Sequence, residues 1–491
     1  MNAPSATPRL RAGTARAEIT VNAPEHVHDP LFARVLLLDD GRIRFAVVAL
    51  DAVAVGGICE IPDDFMPRLR EYAATIDVAP GHLLVNASHT HTNLPMLRPP
   101  EELFNAVTAA LSDAASRLEP VRCGCASGRE ERLMINRTLR LNDGSHWTIR
   151  QANPCPPDEM IAELGPTDPE LGVIRIDRLD GSPLAVLFNF AGHPLIWHDG
   201  NHASAKYPGY AVEFLEETIG GGVTALFLQG AGGDQTEAAY KDVCRPLECE
   251  SLGRMLGLSA LRVYRGIVPE TVEIAATSRH VRFPRRTDSD ERIAELRAEE
   301  RRLLDSLRFC SLNFKSFIRL YLAEKLDPEY PQEHAYRYLR EQQLGGDEIS
   351  GRDRQNHELV EKYLANIRAM EKLARIQDRI ATFELHRDFN RAAAAPDIEA
   401  ELVALRIGDC AIVSTPVEAL CGVGLAIKAA SPFPHTWLAA YSNGYMHYGA
   451  LPEDYPGGGY EVTECFLAPG WYEVFSTAAR EMLTELQKTG V

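Results

Sequence analysis

Phe32-Ala33-Arg34-Val35-Leu36-Leu37-Leu38-Asp39-Asp40-Gly41-Arg42-Ile43-Arg44-Phe45-Ala46-Val47-Val48-Ala49-Leu50 holds two apolar runs on either side of a turn. Residues 32–38 read as a strand. Asp39-Asp40-Gly41 carries turn chemistry, because glycine adopts positive φ without a steric penalty. Residues 43–50 are largely apolar on both faces, so that strand is expected to be covered on both sides. Covering layers are available nearby: helical periodicity over Ile61–Ile76, opening near Pro62, and again over Phe104–Leu118, with a strand over His82–Asn86 between them. Strands alternating with helices of that length predict an α/β fold built on a large mixed sheet.

Beyond this region the alternation continues. Gly172–Ile176 and Pro183–Asn189 read as strands joined at Asp180-Gly181, followed by a helix over Tyr207–Thr218 and a strand over Val223–Leu228. From about Asp288 to Phe389 the pattern changes to charged, amphipathic stretches, including Glu291–Leu307 and Leu359–Ile380. Leu and Ile recur there at helical spacing, which predicts a helical insertion or cap, with the polar stretch Gly345–Asn356 as a loop. Strand patterns resume at Glu401–Ile407 and Cys410–Ser414 around Gly408-Asp409. A helix over Ala419–Ala430, a strand over His435–Ala440 and a helix over Ala468–Leu486 complete the chain. The expected division is 8–280 and 396–491 as two parts of one α/β domain, with 281–395 as the helical insertion.

A formal net charge of −18 opposes attraction to phosphate backbones and anionic membrane surfaces, so no nucleic-acid partner is expected. Arg282, Arg285 and Arg286 read as a solvated basic face. Ten cysteines with no C-x-x-C pair read as free thiols, not as a disulfide framework or a thiolate zinc site. No apolar run is long enough to cross a bilayer, which predicts no transmembrane segment. Met1 to Thr7 hold no basic stretch leading into an apolar one, and cytoplasmic residence is the expectation.

Four segments carry candidate chemistry. In Asn86-Ala87-Ser88-His89-Thr90-His91-Thr92, histidines two apart face one side of an extended chain and can converge on one pocket. Imidazole there can bind a divalent cation or exchange a proton near neutral pH. His193 follows the strand Pro183–Asn189, where a rigid element meets a loop, with His198, Asp199 and His202 close behind. A histidine at such a place can also simply order the turn at Pro194. Glu418, after Ser414-Thr415-Pro416-Val417, offers a carboxylate ligand or a favourable charge at a helix start. Within Ala440-Tyr441-Ser442-Asn443-Gly444-Tyr445-Met446-His447-Tyr448, a bound cation would be needed to make Tyr448 a ligand rather than a packing residue. Tyr460 could present its phenol to a carbonyl oxygen.

In order along the chain, these segments resemble the catalytic domain of the neutral, non-lysosomal ceramidase family. The resemblance starts at Gly13-Thr14-Ala15-Arg16-Ala17-Glu18-Ile19-Thr20 and runs through the histidine segments and Ile135-Asn136-Arg137-Thr138. It continues at Gln229-Gly230-Ala231-Gly232-Gly233-Asp234, Pro416-Val417-Glu418 and the tyrosine-rich segment. Members of that family are zinc-dependent amidases acting on N-acyl-sphingosine. The resemblance implies Zn²⁺ held by His89, His193, Glu418 and Tyr448, a catalytic histidine at His91, and substrate-polarising groups at Arg137 and Tyr460. Gln235-Thr236-Glu237 departs from the family, which has serine and then proline where this chain has Thr236 and Glu237. The family's C-terminal β domain has no counterpart here, and no export signal is seen.

These readings predict a zinc-dependent hydrolase that cleaves a C–N amide bond of a small N-acyl compound, lipid-like as in the family, by metal-activated water. Thr236, His198 and His202 are the candidate substrate-binding residues. A metal-dependent esterase and a noncatalytic metal- or ligand-binding protein are the competing readings.

Overall fold

A computed structural model describes residues 10–57, 60–92, 95–149, 155–196, 202–237, 249–326 and 336–489, except the side chain of Arg337. The described chain divides into two compact units, one formed by residues up to Arg286 together with those from Ala395 onward, the other by Thr287–Ala394.

The larger unit begins with an antiparallel meander, β1 (Arg11–Glu18), β2 (Phe32–Asp39) and β3 (Arg44–Leu50). After α1 (Phe65–Ala74), β4 (Leu83–Ala87) joins β3 in parallel. Then come α2 (Pro100–Ser116) and β5 (Glu119–Arg129), which pairs back onto β1. Next are the short β6 (Met134–Asn136) and a small sheet of β7 (Thr138–Leu141), β8 (His146–Thr148) and β9 (Ile161–Leu164). β10 (Glu170–Arg178) and β11 (Pro183–Phe190) follow, and α3 (Lys206–Ile219) leads into β12 (Thr224–Gln229), parallel to β11. The resulting eight-stranded mixed sheet has the order β12-β11-β10-β5-β1-β2-β3-β4. β13 (Gln235–Glu237) pairs with β6, and α4 (Cys249–Gly266) packs on α3.

A second sheet stacks on the first. It consists of β14 (Ile274–Pro284), β15 (Asp397–Ile407), β16 (Cys410–Ser414) and, parallel to β16, β18 (His435–Ala439). The stacking follows from the period of two along each strand. Leu36, Leu38, Phe45 and Val47 of the first sheet share a core with Val403, Leu405, Ile412 and Trp437 of the second. The intervening residues Val35, Leu37, Ala46 and Val48 face α1 and α2, while Leu402, Ala404 and Val413 lie in the core beneath α11 (Trp471–Lys488). Two close approaches require glycine. A Cβ on Gly172 would stand 2.1 Å from the Trp437 indole between the sheets, and one on Gly13 would stand 2.1 Å from the carbonyl oxygen of Ala114 on α2.

The smaller unit comprises α5 (Ser289–Ser306), α6 (Phe314–Leu326), α7 (Tyr336–Gln343) and α8 (Glu348–Ala392). Ile293 and Leu296 of α5 bury against Ile376, Ile380 and Phe383 of α8. The polar stretch expected as a loop at 345–356 is helical from Glu348, because Asp353 and Val360 turn inward as the first buried residues of α8. The boundary expected at 281 falls inside β14, whose ladder with β15 continues to Pro284. The helix expected from Ala419 starts at Cys421 as α9 (Cys421–Ala429), because Glu418–Ala419 form a short strand, β17, paired with β19 (Tyr448–Gly449). α10 (Tyr460–Glu464) completes the elements. No helix among the described residues is long and apolar enough to cross a membrane.

Candidate metal centre

The parallel strand pairs β3–β4, β11–β12 and β16–β18 carry the site at their carboxyl ends, where ligands bind in open α/β sheets. The outer strands β4 and β12 of the large sheet approach one another there. Buried side-chain amides replace the backbone ladder that these edges lack. Asn86 Oδ1 accepts the Gln229 backbone N–H at 2.8 Å, and Asn86 Nδ2 donates to the Ala440 carbonyl. Asn189 Nδ2 donates to the carbonyls of Leu228 and Leu438 at 3.0 Å, tying both sheets together. Asn443 accepts from the Val85 N–H and donates to the Leu83 carbonyl, each at 2.8 Å. Satisfied in this way, buried polar groups fix one arrangement of strand ends.

His89 follows β4 by two residues and has φ of +64°. The segment is therefore not extended at this point, and the two histidines converge for a different reason from strand alternation. A left-handed turn, held by the His89 N–H on the Ala52 carbonyl at 2.9 Å, brings His89 Nε2 to 2.9 Å from His91 Nε2. His193 arrives from the end of β11, with its own N–H on the Gln235 carbonyl. Left-handed residues recur on the facing loop at Tyr441, Asn443 and His447. Such backbone strain persists only where surrounding bonds over-determine it.

His89 Nδ1 donates to the Val53 carbonyl at 2.8 Å, and His193 Nδ1 donates to the Gly232 carbonyl at 2.5 Å. A carbonyl only accepts, so both rings carry a proton on Nδ1, and a neutral ring there presents a lone pair from Nε2. Both lone pairs meet Glu418 Oε2, at 3.3 Å from His89 and 3.2 Å from His193. Oε2 is buried and has no hydrogen-bond donor among the described residues, whereas Oε1 accepts from the Tyr445 hydroxyl. Tyr448 places its hydroxyl 3.5 Å from His193 Nε2. It arrives there because β19 runs parallel to β17, setting Tyr448 beside Glu418.

The separations themselves test for a cation. Ligand atoms about 2.05 Å from a tetrahedral zinc ion stand about 3.3 Å apart. The 3.2 and 3.3 Å contacts match that edge, and with both imidazoles neutral the facing lone pairs call for a positive charge between them. The ligating atoms of His89, His91 and His193 all lie within 4.8 Å of one another. Imidazoles backed by carbonyls, as here, are the usual support of a metal centre.

Electrostatics point the same way. Burial pushes the His193 pKa down to about 4, with Arg137 adding to the shift and Glu418 opposing it. Burial likewise holds His91 well below the ordinary imidazole value, helped by His89 and His193. Burial opposes ionisation of Glu418, but positive charge at the two histidine nitrogens, the place a bound cation would take, overcomes it and holds the carboxyl well below its usual range. Neutral imidazole and ionised carboxylate are the states that bind metal.

Arg137 is buried behind Tyr448. Its Nε donates to Glu461 Oε1 at 2.8 Å, and one terminal nitrogen donates to the Gly233 carbonyl at 2.8 Å and the Tyr448 hydroxyl at 2.9 Å. Thr148 Oγ1 in turn donates to Glu461 Oε2 at 2.6 Å. The Tyr460 ring lies edge-on to Tyr448 with centroids 5.7 Å apart, so it borders the same space.

The remaining candidates stand elsewhere. Thr236 is buried, bridges the His193 backbone and turns its hydroxyl to Glu237 Oε2 at 3.3 Å. His202 is half-buried ahead of α3 and belongs to no group of metal-ligating side chains among the described residues. His198 lies outside the described residues. Sequence reasoning gave no role to Tyr445 or Glu461. Tyr445 had a signal, since it precedes Tyr448 by three residues in the same segment, whereas nothing near Glu461 predicts its pairing with Arg137.

A carboxylate, a phenol and three imidazoles at the carboxyl ends of a mixed sheet define a candidate metal centre on an α/β sandwich. Comparison with solved structures finds the same fold in neutral ceramidase from Pseudomonas aeruginosa, with a TM-score of 0.62 at 16% identity, covering 99% of this chain and 75% of that one. A ceramidase complexed with C2 aligns with a TM-score of 0.60, also at 16% identity, over 98% of this chain and 75% of that one. At this identity the likeness is one of fold. No protein-family model matches the chain, and no curated protein matches it in sequence.

Proposed function

We propose that this chain is a metal-dependent hydrolase that cleaves the C–N amide bond of an N-acyl compound. The observation that carries the reading is the meeting of His89 Nε2 and His193 Nε2 on the donor-free Glu418 Oε2. The ceramidase fold and the resemblance of the surrounding segments supply the substrate class, an acyl amide that is lipid-like in those proteins.

His89, His193, Glu418 and Tyr448 would hold Zn²⁺. Zinc in such a site supplies Lewis acidity, polarising a carbonyl and lowering the pKa of water. His91, neutral and beside His89, takes the proton from the attacking water and delivers it to the leaving nitrogen. Tyr460 donates to the oxygen that gains charge as the carbonyl becomes tetrahedral. Arg137 spends its bonds on Tyr448, Gly233 and Glu461, so it acts as a positioning residue that steadies Tyr448. Thr236, with its hydroxyl turned to Glu237, serves the shape of the His193 loop.

The test uses the zinc-loaded protein against matched N-acyl amides and their ester analogues. Amide turnover is expected, with His91→Ala keeping its zinc and losing most of the turnover. Ester cleavage without amide cleavage would replace the amidase reading with an esterase one. Full zinc occupancy with neither activity would leave a binding protein.

A further inference from the structure

We infer that the exposed face of α6 is a docking surface for an anionic lipid bilayer, an inference that stands on the helical unit alone and does not depend on the hydrolase reading. On a helical projection at 100° per residue, Phe314, Lys315, Arg319, Leu322, Lys325 and Leu326 fall within an arc of about 140°. All six are exposed, with Phe314 at 63% and Leu322 at 48%. The opposite side of α6 is already used. Phe317 is buried and stacks on Tyr363 of α8 at 4.5 Å and on Tyr321 at 5.4 Å. The single acidic residue of α6, Glu324, lies on that inner side, beside His357 Nδ1 of α8 at 3.4 Å. Large apolar side chains and cations are thus interleaved on the outer face, and no acidic residue of α6 shares it.

Charge selects the partner. Within that arc α6 carries three cations, Lys315, Arg319 and Lys325, and no acid, in a protein of net charge −18. Charges more than about 8 Å away are largely screened at physiological ionic strength, so a surface pressed against this arc meets its three cations before the total charge of the chain. An acidic protein surface would satisfy the cations but leave Phe314 and Leu322 without an apolar phase. An anionic bilayer offers both, headgroups for Lys315, Arg319 and Lys325 and the acyl boundary for the apolar side chains.

The experiment is vesicle co-sedimentation of the full chain with phosphatidylcholine vesicles and with phosphatidylcholine vesicles containing phosphatidylserine. Preferential binding to the phosphatidylserine vesicles is expected, weakening as salt is raised. Each basic residue near an anionic surface contributes roughly fivefold to partitioning, so Lys315→Gln/Arg319→Gln/Lys325→Gln should lose about a hundredfold. Phe314→Ser/Leu322→Ser should also release the protein. Because these side chains are exposed, both variants are expected to keep the wild-type unfolding midpoint. Equal binding to the two vesicle types, no binding to either, or binding unchanged in both variants would overturn the inference. So would a concentration-dependent dimer that Phe314→Ser/Leu322→Ser dissolves, which would assign the face to a second copy of the chain.

Discussion

Replacing His193 by alanine removes one Nε2 lone pair from a centre whose donor atoms are spaced 3.2 to 3.5 Å apart. Loss of a direct ligand should weaken zinc binding by at least the 10- to 100-fold typical of mutating a ligand's outer partner. A ligand that binds only the folded state stabilises it by about 4.1 kcal/mol at a thousand times its Kd. If the variant binds a hundredfold more weakly, the same zinc concentration stabilises it by only about 1.4 kcal/mol. The variant also loses the His193 Nδ1 bond to Gly232 and leaves a cavity, but that cost is present with or without metal. The decisive quantity is therefore a double difference, zinc-induced stabilisation in the wild type minus that in His193→Ala, expected at about 2.7 kcal/mol. Denaturant unfolding with added zinc and with a chelator measures it, alongside metal content. A variant with stoichiometric zinc and the wild-type zinc-induced shift would refute the ligand assignment.

Three further outcomes are expected. Tyr445→Phe removes the hydroxyl that holds Glu418 Oε1, and competition with a chelating dye should register zinc affinity lower by roughly 10- to 100-fold; unchanged affinity would deny Tyr445 a supporting role. Arg137→Ala leaves the buried Glu461 without its guanidinium partner and should cost about 3–5 kcal/mol in urea unfolding, a reading that a loss below 1 kcal/mol would contradict. Burial raises Asp234 and Glu237 to about 7 from their ordinary 3.8 and 4.5, so the folded state holds these protons more tightly than the unfolded state. Their contribution to stability is fully present below about pH 4 and is lost as pH rises towards about 7. Asp234→Asn should gain on the wild type between about pH 4 and about pH 7 in chelator-treated protein, and parallel pH profiles would reject the shift at Asp234.

Much of the scaffold was legible because buried strands need apolar side chains on both faces. Residues 43–50 announced a covered strand, and the alternation after them announced a large mixed sheet, although one of its covering layers is the sheet of β14, β15, β16 and β18 and not helices. β5 showed only as a possible strand with Cys123 and Cys125 on one side, since Glu119, Arg122, Ser127 and Arg129 break its apolar pattern and its pairing with β10 supplies what the pattern lacks. The stretch 345–356 misled for the opposite reason, because much of α8 is solvated, so polar composition there does not mean loop. Within the candidate site, His89, His91, His193, Glu418 and Tyr448 could be nominated from their segments and their order along the chain.

Residue types and their local periodicity were enough to establish an acidic α/β protein with a helical insertion, because backbone hydrogen bonding and burial act over a few residues. Convergence lay beyond that reach. It depends on β4 and β12 meeting at opposite ends of one sheet, on Asn86, Asn189, Gln229 and Asn443 stitching the strand ends, and on a left-handed turn at His89. Those bonds join residues more than a hundred positions apart, so only the folded chain could decide that Glu418 faces two histidines with one oxygen left free.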